Sequence, residues 1–146
     1  ARNLMPNIAI SSDIIVGFPE ETEEDFIATH DLVRAIEFDE VFVFKYSPRP
    51  QSAAANLQDS VSREEKERRH HIILSLQKRI SRELHKKIEG SVQEVLVERS
   101  TSDGLLIGKT GENRTILFTG DTSLIGTLVR VRITNAARVF AEGKIV

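Results

Sequence analysis

The segment Ile14-Ile15-Val16-Gly17-Phe18-Pro19-Glu20-Glu21-Thr22 constrains this chain more than any other. A short apolar run that meets Gly-Phe-Pro and then an acidic helix start is the pattern of a buried parallel strand turning into its crossover helix. The pattern recurs where Val41-Phe42-Val43-Phe44-Lys45-Tyr46 runs into Ser47-Pro48-Arg49-Pro50. Between the two, Phe26, His30 or Ala28, Val33 and Ile36 fall at helical spacing. Thr22 and Asp25 stand at capping-box spacing, and Glu23, Glu24 and Asp25 suit the positive end of a helix dipole rather than a metal site. The spacing predicts a right-handed βαβ unit made of strand Ile10–Val16, a helix over 23–36 and strand Val41–Tyr46. Both strands are apolar almost throughout and need cover on both faces, which one such unit does not supply. Residues 1–60 are therefore expected to be the last part of a larger α/β barrel, with Ala1-Arg2-Asn3-Leu4-Met5-Pro6 as the tail of a preceding helix. Ligands of such barrels collect where strands end and helices begin, so the two rim loops are expected to form part of a site.

Beyond a polar connection over 51–60, Ser62 and Glu65 repeat the capping-box spacing and open a long helix expected to reach about Glu89. Ile73, Leu76, Ile80, Leu84 and Ile88 form its apolar stripe, Arg and Lys cover the opposite, solvated side, and Gly90 is the expected stop. His70 and His71 are adjacent on this helix, do not share a face, and read as surface or boundary residues. From Ser91 the period changes to that of strands. Val92–Glu98, Gly104–Lys109, Arg114–Phe118, Thr127–Thr134 and Val139–Val146 are short apolar-rich runs separated by Gly, Asp, Asn and Ser. Val129, Val131 and Ile133 alternate with Arg130 and Arg132. Five short strands in this length point to a small closed barrel of the OB-like kind. The expected division is residues 1–90 and residues 91–146.

Composition sets outer limits. The 146 residues carry 20 basic and 22 acidic side chains and no cysteine, which excludes a disulfide, a thiolate metal site and a cysteine nucleophile within the chain. A sequence pI near 6.1 argues against gripping nucleic acid by bulk charge, so any RNA contact must be local. Charge is unevenly spread: the first 60 residues are strongly acidic, residues 61–90 basic, and the remainder close to balanced. No apolar run is long enough to suggest a membrane span, and no signal peptide is legible, so cytoplasmic placement is expected. On the barrel, Lys109, Arg114, Arg130 and Arg132 are candidates for phosphate contacts and Phe118 for base stacking, against the alternative of ordinary solvated strand residues. Arg49, with its backbone fixed by Pro48 and Pro50, suits a carboxylate or phosphate, or else is an exposed residue of a rigid turn.

Ser12-Asp13-Ile14-Ile15-Val16-Gly17-Phe18-Pro19 with Glu21-Thr22-Glu23-Glu24-Asp25-Phe26 resembles the wording of the radical S-adenosylmethionine (SAM) methylthiotransferases. So do Phe44-Lys45-Tyr46-Ser47-Pro48-Arg49-Pro50, Gly108-Lys109-Thr110 with Asn113-Arg114, and Leu124-Ile125-Gly126 before Val129-Arg130-Val131. The resemblance covers the whole chain and is nearest to the branch acting on transfer RNA. It implies an α/β fragment, the βαβ part of a radical-SAM partial TIM barrel plus a long helix, followed by a small all-β TRAM barrel that binds RNA. It implies SAM beside Asp13, Ile15, Gly17, Phe18 and Glu20 on the first strand and its rim loop, and beside Tyr46, Ser47 and Arg49 after the second, although Gly17-Phe18-Pro19 also suits a plain tight turn. It implies a tRNA anticodon arm as partner, an external electron donor, and two [4Fe–4S] clusters in the parent enzyme, held by cysteines this chain does not contain. The chain alone is then expected to be inactive. Two places depart from the family wording: Glu20 replaces the glycine that normally follows Phe-Pro, and Gln51-Ser52-Ala53 replaces a Gly-Thr or similar continuation. The alternatives are a methylthiotransferase acting on a ribosomal-protein aspartate and a non-catalytic RNA-binding module; an upstream Cys-x-x-x-Cys-x-x-Cys would exclude the second.

Overall fold

The computed structural model describes residues 2–5, 7–137 and 140–146. The chain divides into two compact units, one over Ile10–Ser81 and one made of Ala1–Ala9 with Arg82–Val146.

In the first unit, strand β1 (Ser11–Val16), helix α1 (Glu23–Ile36) and strand β2 (Glu40–Lys45) follow in order. The strands pair in parallel, Ser11 opposite Glu40 through Val16 opposite Lys45, as the apolar runs predict. Thr22 caps α1 with both halves of the capping box formed, its hydroxyl accepting from the Asp25 N–H and the Asp25 carboxylate accepting from the Thr22 N–H. The α1 stripe buries Phe26 and Val33. Helix α2 (Arg63–Lys86) starts beneath Ser62, whose hydroxyl accepts from the Glu65 N–H at 3.1 Å. Its buried apolar residues are Ile73, Leu76 and Ile80. Gln77 Nε2 donates to the Phe38 carbonyl at 2.8 Å and the Ser81 hydroxyl to the Asp39 carbonyl at 3.2 Å, which ties α2 to the entry of β2. The basic side of α2 is not wholly solvated as its composition suggests. Lys66 and Arg69 are buried, because each has a carboxylate to meet: Asp59 for Lys66 and Glu21 for Arg69.

The second unit is a closed barrel in the order β3-β4-β5-β7-β6, with β3 (Val92–Ser100), β4 (Leu105–Thr110), β5 (Thr115–Thr119), β6 (Leu128–Ala136) and β7 (Ala141–Ile145). Among the described residues, every pairing in this barrel is antiparallel except β5 with β7. Inward residues fill the interior: Val95, Val97, Leu106, Ile116, Phe118, Val131, Ile133 and Ala141, with Ile88 packed against them. The expected strand positions hold within two residues, and Val139, where the last strand was expected to begin, lies outside the described residues. The helix ends at Lys86 rather than near Glu89, and the 87–90 turns follow. Gly90 does not close the helix. Its N–H donates to the Ile133 carbonyl at 2.9 Å, joining the incoming chain to the barrel wall.

Candidate functional site

Pleat alternation divides the two-stranded sheet sharply. Val16 and Val41 are buried on the side that carries the helices. Asp13 and Ile15 on β1, and Phe42 and Phe44 on β2, share the opposite face, with Asp13 opposite Phe42 and Ile15 opposite Phe44. Ile15, Phe42 and Phe44 are 54%, 50% and 52% exposed there. Tyr46 extends this row, since its N–H continues the ladder to the Val16 carbonyl at 2.9 Å. The Phe18 ring meets the Tyr46 ring edge-on with centroids 5.1 Å apart. The structure thus brings four of the sequence-designated residues, Asp13, Ile15, Phe18 and Tyr46, to one open face and its rim.

The rim loop after β1 is held from beneath. Gly17 adopts φ +71, and a β-carbon there would stand 2.3 Å from Cγ of Lys66, so the close neighbour of this glycine is the Lys66 stem. The Gly17 N–H donates to the Glu21 carboxylate, which also takes Nη1 of Arg69 at 2.6 Å. Arg69 Nη1 donates to the Glu21 carbonyl at 3.0 Å and its Nε to Glu65 at 2.7 Å, while Arg68 bridges Glu65 and Glu23. The hydrogen bond from Arg68, then that from Arg69, holds the Glu65 carboxyl down at about 2. Glu21 and Arg69 thus brace the rim loop, an arrangement not legible in the sequence because the two lie 48 residues apart.

Both departures from the family wording fall on left-handed backbone. Glu20 has φ 67 and Gln51 has φ 73, the region that glycine occupies without strain. The Glu20 N–H is anchored by the Ser60 hydroxyl at 2.9 Å.

Past β2, Tyr46 and Ser47 border an open cavity of about 320 Å³ that is also lined by Lys45, Arg63, Lys66 and Glu67. Lys66 Nζ is held by the Asp59 carboxylate at 2.6 Å and lies 5.2 Å from the Tyr46 ring centre. The Tyr46 hydroxyl donates to the Ala54 carbonyl at 3.0 Å, pinning the loop that carries Ser47 and Arg49. Arg49 is exposed, and its carbonyl accepts from the Ser52 hydroxyl at 2.9 Å.

On the barrel, Arg130 and Arg132 project outward while Val131 and Ile133 fill the core. Arg132 stands directly opposite Lys144 of β7, and Arg130 opposite Glu94 of β3. Lys109 lies two strands away in the row Leu128–Leu96–Lys109, with Leu96 and Leu128 exposed. Its ammonium donates to the Asn113 carbonyl beside Arg114 at 3.2 Å. Lys144 joins the set of outward cations although the sequence reading passed over it. Phe118 is a correction. It is 2% exposed and packs inside the barrel, so its ring offers no surface on which a base can stack.

Residues 86–146 match the family model described as the TRAM domain. The whole chain is similar to the tRNA-2-methylthio-N(6)-dimethylallyladenosine synthase of Aquifex aeolicus, at 44% identity over 144 residues, 99% of this chain and 32% of that protein. The synthase of Carboxydothermus hydrogenoformans is 43% identical over 99% of this chain and 33% of its own length, and that of Acetivibrio thermocellus 44% identical over 97% and 30%. The resemblance drawn from the rim motifs therefore holds across the chain. The chain spans about a third of the length of the curated relatives it matches.

Proposed function

We propose that this chain is the C-terminal third of a tRNA methylthiotransferase that places a methylthio group on C2 of an N6-isopentenyl-type adenosine next to the anticodon. The observation that carries the reading is similarity over 99% of the chain to relatives named for that activity. Residues 1–90 would complete a radical-SAM barrel and residues 91–146 would bind RNA.

The open face suits a flat, apolar-sided ligand such as the adenine of SAM: Ile15 and Phe44 are exposed side by side, and the Phe18–Tyr46 pair closes the rim. Ile15 would give apolar contact, and Asp13, Gly17, Glu20, Tyr46 and Ser47 would shape or hydrogen-bond the edge of the site. Arg49 would offer its guanidinium fork to a carboxylate or phosphate. When bound, SAM supplies the radical chemistry, and the chain's residues hold it and exclude water. Iron–sulfur clusters do not fit this chain, which has no cysteine to ligate them. They and the electron donor belong to the rest of the parent.

The outward barrel face would hold the anticodon arm through Arg130, Arg132, Lys109, Arg114 and Lys144. Like charges directly opposite on a sheet repel, so the Arg132–Lys144 pair gains from an intervening phosphate. The same cations disfavour a basic ribosomal-protein substrate. The test is fluorescence anisotropy of a labelled anticodon stem-loop titrated with the chain at several salt concentrations. The expected result is salt-sensitive binding whose log–log slope shrinks by about 1 to 2 in the Arg130→Gln/Arg132→Gln variant. Binding with an unchanged slope, or no binding, would remove this face from the account.

A further inference from the structure

Helix α2 carries a second cluster whose two histidines the rim chemistry does not use. Glu67, His70 and His71 stand at three- and four-residue spacing, so both imidazoles flank the turn above the carboxylate, although the two histidines do not share a face with each other. One ligand atom of each lies within 4.8 Å of the other two. His70 is oriented from behind: its Nε2 lies 3.0 Å from the Val43 carbonyl, which can only accept, so Nε2 carries the proton. Nδ1 is then the ring's lone-pair nitrogen, and it is buried with no hydrogen-bond partner among the described residues. A ring that donates one nitrogen to a backbone carbonyl and keeps the other free is the arrangement of a metal-ligating histidine. Glu67 is paired with Lys45, whose flexible stem lets the ammonium leave when another cation takes the carboxylate.

We propose that Glu67, His70 and His71 form a binding site for a divalent transition metal of the zinc class, taken through one carboxylate oxygen and two imidazole nitrogens. Two imidazoles with one carboxylate favour zinc and its neighbours over magnesium or calcium, which prefer all-oxygen shells. The site lies on α2, off the open sheet face; Glu67 also lines the cavity bordered by Tyr46 and Ser47, whereas His70 and His71 do not.

The intact chain titrated with Co²⁺ tests this by visible absorption, with Zn²⁺ added afterwards as competitor. The expected result is saturation near one equivalent, displacement by Zn²⁺, and at least about tenfold weaker binding in His71→Asn and in Glu67→Gln. His85→Asn, which changes a histidine elsewhere on the helix, is expected to bind as the parent chain does. His71 is exposed, so its replacement leaves the core intact, and circular dichroism checks this. Absence of a saturable Co²⁺ spectrum, or equal binding by His71→Asn and Glu67→Gln, would overturn the proposal.

Discussion

Glu20 and Gln51 hold left-handed backbone without being glycine, which keeps both rim loops in the shape that glycine ordinarily supports. Gly17 differs, because steric space as well as φ excludes a side chain there. Gly17→Ala is expected to cost about 1 kcal/mol or more from the left-handed backbone alone, and further cost comes from displacing the Lys66 stem. Glu20→Gly is expected to change stability by no more than about 0.5 kcal/mol, since relief of strain is offset by the greater freedom of glycine in the unfolded chain. Urea unfolding followed by tyrosine fluorescence checks both, because Tyr46 is the only tyrosine, there is no tryptophan, and its ring lies against Phe18. Equal midpoints for the two variants would contradict this account of the loop. Some residues were not legible one at a time. Phe118 reads as a stacking surface because it is an aromatic residue close in sequence to Lys109 and Arg114, yet Ile116 and Phe118 share the inward side of a period-two strand and both are buried. Lys66 and Arg69 read as solvated because their carboxylate partners, Asp59 and Glu21, lie off the helix.

At the scale of elements, local signals carried well. Thr22 with Asp25, the Ile73-Leu76-Ile80 stripe and the Val129-Val131-Ile133 alternation each state a period or a cap within a few residues, and the helix and strands formed where those signals stood. The end of α2 did not follow its composition, because Ile88 is drawn into the barrel core and Gly90 into the barrel ladder. Joining α1, α2 and the rim loop is the Glu21–Arg69–Glu65–Arg68–Glu23 network, which has a definite acid dependence. The Glu65 carboxyl is lowered from 4.5 to about 2 by Arg68 and Arg69, so its contribution to stability is full above 4.5 and is lost as pH falls through about 2. Urea midpoints measured between pH 5 and pH 2 are expected to fall less steeply in Glu65→Gln than in the parent chain. Parallel slopes would show that the network does not couple protonation to folding.

For the molecule as a whole, half of the candidate site was legible and half was not, for a physical reason. The strand-to-rim motifs place Asp13, Ile15, Phe18 and Tyr46 together because a parallel register brings equivalent strand ends side by side. The open face beneath them, with Ile15, Phe42 and Phe44 exposed, answers the expectation that one βαβ unit cannot cover both sides of its strands. Arg130 and Arg132 were legible from strand alternation, whereas Lys144 emerged only from register, which set it opposite Arg132. The chain spans about a third of the length of each relative. Quantifying 2-methylthio adenosine by mass spectrometry, in tRNA from cells with and without the full-length gene, tests the central claim most directly. The account predicts that the modification disappears without the gene and returns when it is restored; tRNA with unchanged methylthio content, in cells that have no second enzyme for the reaction, would contradict it.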